Sequence, residues 1–131
     1  MSPFEFRHAE TGLSVVIDDD GRVAYAYLRD LEGGIIGDVW LYNREADPKA
    51  DWSDPSQAPF PNPRSHARPF EGRLPSRASD FSVEWTLVDQ LLLCDVSVHG
   101  VRIARLSPGA APGWNVLALL ESPCALPWPS E

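Results

Sequence analysis

Apolar and polar residues alternate along two stretches of this chain, residues 3–42 and 80–121, and the pattern breaks between them. Phe4 and Phe6 alternate with polar neighbours, and Leu13–Ile17 is a short apolar run. Asp20-Gly21 then separates it from a run in which Val23, Tyr25 and Tyr27 alternate with Ala24, Ala26 and Leu28. An Asp-Gly pair between strand-like runs is a strong hairpin signal. Gly33-Gly34 turns the chain again. The strand predicted over 35–42 is apolar on both faces, with Asp38 beside Trp40, as a central strand would be. In the second stretch Phe81, Val83, Trp85 and Leu87 alternate with polar residues, and Leu92, Cys94, Val96 and Val98 repeat the pattern. His99-Gly100 turns into a run over 101–106, and Trp114–Leu120 reads as a last strand or a short helix. No window carries a sustained helical period. The pattern predicts an all-β domain spanning residues 1–131: an antiparallel sandwich or flattened barrel of about eight strands.

Residues 43–79 fit neither period. This segment holds seven of the thirteen prolines, and connections of such length inside a compact domain are usually functional or disordered. It is the expected seat of function. Trp52, Phe60 and Phe70 stand in it among polar residues, either as pegs onto the sheet or as anchors for a partner. Residues 122–131 form a Pro-rich tail, expected to run extended with Trp128 packed on the domain.

Charge sharpens this picture. The net charge is −8, and it is segregated: −7 over residues 1–54, +3 over 55–79 and −4 over 80–131. An acidic chain disfavours nucleic acid and anionic membranes and suits a basic partner. Arg64, Arg68, Arg73 and Arg77 carry the positive segment, and the simplest expectation pairs them with the domain's own acidic face. The N-terminus lacks an apolar signal region, and no apolar run approaches the length of a membrane span. Cys94 and Cys124 have neither metal nor redox spacing, so a buried free thiol at Cys94 and a cytoplasmic location are expected.

Candidate chemistry is sparse. Asp18-Asp19-Asp20-Gly21 lacks the alternating acids of a calcium loop, and His8, His66 and His99 form no zinc pair. There is no nucleophile elbow and no phosphate-binding glycine loop. The sequence therefore nominates no catalytic residue, metal or cofactor. Asp38 and Asp95, within strands, are the two acids that stand out, each with a structural hydrogen-bonding role expected.

The run Asp38-Val39-Trp40-Leu41-Tyr42-Asn43-Arg44, followed by Ala58-Pro59-Phe60-Pro61-Asn62-Pro63, resembles small uncharacterised bacterial proteins akin to the immunity partners of secreted polymorphic toxins. That resemblance implies a non-enzymatic protein-binding module that neutralises a basic toxin. The residues expected to meet such a partner are Asp47, Asp51, Trp52, Asp54, Phe60 and Arg64. Two other readings stay open: a small-molecule-binding β domain with residues 43–79 as its lid, and a small enzyme with an unpatterned acid/His site. The oligomeric state is not readable from the sequence.

Overall fold

The computed structural model describes residues 3–44, 51–63 and 65–128. Strands β1 (Phe4–Arg7), β2 (Ser14–Asp19), β3 (Val23–Arg29) and β4 (Ile35–Asn43) form an antiparallel meander in sequence order. Strands β5 (Phe81–Val88), β6 (Leu91–Val98) and β7 (Val101–Leu106) form a second meander. It is extended by β8 (Trp114–Asn115), antiparallel to β7, and by β9 (Leu126–Pro127), parallel to β8. The two sheets pack as a sandwich and do not close into a barrel. No helix among the described residues is long and apolar enough to cross a membrane.

The alternation decides the faces. Val15, Ile17, Ala24, Ala26, Leu28, Val39 and Tyr42 turn inward from the first sheet. Phe81, Cys94, Val96, Val98, Ala104 and Leu106 turn inward from the second, and all join one buried cluster. Phe4 against Phe81 (centroids 5.7 Å) and His8 stacked on Trp85 (4.9 Å) tie β1 over β5. The hairpin turns use residues that accept positive φ. Asp89 and Gln90 (φ 49° and 68°) join β5 to β6, and His99 and Gly100 (φ 51° and 81°) join β6 to β7. Two successive left-handed residues match the twist of the flanking strands.

Three bulges punctuate the ladders, and in each the extra residue's carbonyl finds a donor. The β3–β4 register skips Leu41, and the Asn115 side-chain amide donates to Trp40 O (2.6 Å) and Leu41 O (3.0 Å). The same pair skips Ile36, whose carbonyl accepts from Gly109 N at 2.7 Å. The β6–β7 register skips Ile103, whose carbonyl accepts from Val116 N at 2.9 Å. A bulge adds a residue without a ladder partner, so each leaves a polar group to satisfy. The bonds at the two β3–β4 bulges also stitch the edge of β4 to the 107–115 region.

The sequence reading and the structure differ at the end of the chain. The strand or helix expected over 114–120 is a strand only at Trp114–Asn115. Beyond Val116 the chain leaves β7, and Leu117 O accepts from Arg68 N at 2.7 Å. The tail contributes β9, a ninth strand, and Trp128 lies under Arg102 and Arg105 (4.7 and 5.0 Å to the ring centroid).

Candidate binding cleft

A segment so rich in proline lacks the N–H groups needed to enter a ladder, so it offers mainly carbonyls. Side-chain donors from the sheets take them. Arg22 Nη2 donates to Pro59 O (3.0 Å), Tyr25 Oη to Phe60 O (2.7 Å), and Asn43 Nδ2 to Asn62 O (2.7 Å). Arg44 Nη2 donates to Pro75 O at 2.6 Å, and His99 Nε2 to Arg73 O at 3.0 Å. A carbonyl only accepts, so His99 carries its proton on Nε2. Apolar contacts reinforce these bonds: Trp52, Phe60, Phe70 and Leu74 all pack against the core.

Residues 67–71 are held against the end of the second sheet. Arg68 bonds Leu117 O through its backbone and Val116 O through Nη2 (2.6 Å), Ala67 bridges Ala118, and Phe70 packs on Tyr42 (5.6 Å). Between this wall and the inner ends of β6 and β7 lies a half-open cleft of about 430 Å³. Its floor is Val98, Val101, Ile103, Val116 and Leu117, and Phe70 and Pro69 face them. Arg68, Glu71 and His99 supply the polar rim. The bulge at Ile103 lies at this edge of the sheet, as bulges beside sites often do. Val101 is 65% exposed at the mouth, whereas Ile103 is 4% exposed at the back.

The titratable groups nearby are committed elsewhere. His99 Nδ1 lies 3.8 Å from Asp80 Oδ1 while Nε2 serves Arg73 O. Asp19 accepts from Tyr42 Oη (2.9 Å) and Arg44 Nε (2.6 Å), tying β2, β4 and residue 75 together. Asp95 takes a two-pronged bond from Arg105 (2.6 and 2.9 Å), with Arg102 alongside at 3.3 Å. Asp38 is half-buried, and burial raises its carboxyl above the usual range. Both cysteines are buried free thiols. Burial pushes the Cys94 thiol up to about 12, with a smaller contribution from Asp95, and burial likewise raises Cys124. A thiol so displaced is not a thiolate at neutral pH. In native protein at pH 8, iodoacetamide is accordingly expected to modify neither cysteine over hours, and both within minutes in concentrated urea. Mass spectrometry reads the difference. The raised pKa of Cys94 works against the fold on the alkaline side: its stabilisation is complete below about 9 and declines as pH rises from there to about 12.

The residues nominated as a partner surface do not form one group. Asp51 and Asp54 cap local turns at the surface, bonding Ser53 and Ser56. Trp52 is half-buried with its ring edge on His66 (5.1 Å), and its indole nitrogen is buried facing the Cys124 thiol. Phe60 is pinned through its carbonyl and packs on the core. Asp47 and Arg64 lie outside the described residues.

The expectation that the segment's arginines pair with the acidic face needs correction. Among the described residues, Arg68, Arg73 and Arg77 make no ion pair within 4 Å. The buried acids are served instead by arginines of the sheets: Arg44, just past the end of β4, for Asp19, and Arg105, directly opposite on β7, for Asp95. What sequence reasoning missed is the cleft itself, since its floor residues read only as strand interior. No known protein family, curated protein or solved structure matches the chain, so its functional reading rests on the geometry of its own residues.

Proposed function

We propose that this protein is a binding module, and that the cleft between residues 68–71 and the β6–β7 hairpin takes an apolar or amphipathic small molecule. The observation that carries this reading is the cleft: about 430 Å³, floored by five aliphatic side chains and rimmed by three polar ones. Ligand sites typically span roughly 300–1,000 Å³ and pair an apolar lining with a few orienting polar groups. The displaced thiols and the engaged His99 support binding over catalysis.

The test uses a fluorescent amphiphile, anilinonaphthalene sulfonate, on the native protein. Saturable one-to-one binding is expected, weakened about tenfold or more by Val101→Glu, which places a charge at the exposed mouth without disturbing the core. Leu31→Glu, on an equally exposed leucine far from the cleft, should leave binding unchanged. Equal effects of the two substitutions would remove the cleft as the site.

A second reading, neutralisation of a basic protein partner in the manner of an immunity protein, is favoured by one observation. On the outer face of β2–β4, Asp18, Asp20 and Asp38 surround Tyr27, whose phenol is pushed up to about 12 by burial and then by these carboxylates. A cytoplasmic location belongs to this reading and rests on the two free thiols. A partner captured from native extract, lost on Asp18→Asn with Asp38→Asn, supports it; capture indifferent to both substitutions removes it.

A further inference from the structure

Four sheet edges exist in the sandwich, and they are treated differently. The edge of β4 is closed by Gly109, Ala110, Gly113 and Cys124, whose backbones bond Ile36, Asp38 and Trp40. Strand β1 is an edge of four residues that follows Pro3. Strand β9 is an edge of two residues. Strand β5 is different: eight residues long, with an unbroken register against β6 and no bulge. Among the described residues, no backbone hydrogen bond other than those to β6 reaches Ser82–Val88.

Natural proteins guard such edges with lysine, proline, bulges or brevity, because a straight open edge templates another strand. None of these guards is present. From residue 78 to residue 101 the sequence contains no lysine, arginine or proline. The strand ends that flank the Asp89-Gln90 turn are apolar as well: Leu87 is 69% exposed, and Val88 and Leu91 are each 46% exposed.

The geometry points to a second copy of this chain as the occupant, paired antiparallel along β5 about a two-fold axis at Trp85. A two-fold contact of this kind is self-complementary and closes as a dimer. In this register Val83 faces the other copy's Leu87, and Ser82 faces its Val88. Glu84, the strand's one charge, faces Thr86 and not itself. Moving the axis to Glu84 would set two carboxylates directly opposite, which is unfavourable. The Trp85 register covers the exposed Leu87 with an aliphatic neighbour and leaves no like charges facing. It joins the two five-stranded sheets into one continuous sheet, with both clefts left open.

Sedimentation equilibrium from micromolar to millimolar protein is the measurement. The expected result is a concentration-dependent rise from 14.5 kDa towards twice that mass. Association should strengthen as salt rises, because two copies of net charge −8 repel and salt screens that repulsion. The register supplies a charge test at one exposed position. Thr86→Glu sets a carboxylate against Glu84 twice per dimer and should weaken association about tenfold. Thr86→Lys at the same site sets an ammonium there and should weaken nothing. Leu87→Glu, at the exposed tip, should weaken association comparably and keep the β-type circular dichroism spectrum. A mass of 14.5 kDa throughout the range would overturn the proposal. So would a dimer that responds alike to Thr86→Glu and Thr86→Lys, or one that loosens as salt rises.

Discussion

Replacing Asn115 by alanine should remove about 3–4 kcal/mol of folding stability, one of the largest losses available to a single polar substitution in this chain. Asn115 is fully buried, and its side-chain hydrogen bonds all go to backbone. Its Nδ2 donates to Trp40 O and Leu41 O, and its Oδ1 accepts from Leu117 N at 2.7 Å. Alanine orphans two carbonyls and one N–H in a dry interior, and each unsatisfied buried group costs about 1–3 kcal/mol. Partial relaxation keeps the sum below the simple total. Urea denaturation should show a lower midpoint with an unchanged slope, and the melting temperature should fall by roughly 10–15 °C. Asn115→Asp separates the two halves of the role. It keeps the acceptor for Leu117 N but turns a carboxylate oxygen towards two carbonyls, so it should be at least as damaging as alanine. A harmless Asn115→Asp would mean that the bonds to Trp40 and Leu41 contribute little.

Trp52→Ala is expected to cost about 2–4 kcal/mol of stability, because the ring packs on the core and on His66. The melting temperature should drop by roughly 7–15 °C. The same residue was nominated from the sequence as an anchor for a partner, and the two roles differ in what they change. A peg alters the melting temperature and leaves the dissociation rate of any complex, per folded molecule, as it was. An interface anchor does the reverse. Asp51→Asn is the companion variant: its carboxylate bonds only Ser53 at the surface, so it should leave the melting temperature nearly unchanged. An unaltered melting temperature in Trp52→Ala would refute the peg.

Much of the fold was legible because a strand writes its two faces into alternate positions. Phe81 through Leu87 and Leu92 through Val98 could be assigned to strands with inward faces before any coordinates, and turns such as His99-Gly100 marked their ends. The region after Asn115 was misread because Val116, Leu117 and Ala118 look like a strand to their own sequence. From Leu117 on, their backbone partners are residues 66–68, some fifty positions away, and local pattern carries no record of that pairing. The cleft was illegible for a related reason. Alternation tells which face Val98, Ile103 and Val116 occupy, but not whether another layer covers that face. That depends on where Phe70 is held, and Phe70 is held by Tyr42 in the opposite sheet. The anchoring of the proline-rich segment left a fainter trace: prolines imply orphan carbonyls, but which of ten arginines and three tyrosines would serve them is a matter of tertiary distance.

That anchoring has a consequence for the order in which the molecule assembles. The side-chain N–H and O–H donors that take carbonyls of residues 59–75 belong to formed hairpins or strand ends: Arg22 and Tyr25 by the β2–β3 turn, Asn43 at the end of β4 and Arg44 just past it, His99 in the β6–β7 turn. The backbone N–H groups of Leu119 and Leu120 add bonds to His66 O. The segment has almost nothing to bond to until both meanders exist, so it docks late, and loop closure over such separations is slow. What docks last on few bonds is expected to detach first, as a unit, at a free energy well below that of global unfolding. In hydrogen exchange the bonded amides of Arg68 and Leu119 should therefore exchange by a partial opening while those of β3 and β6 wait for complete unfolding. A cleft wall that opens in this way gives a ligand too bulky for the open mouth a route in that leaves both sheets intact.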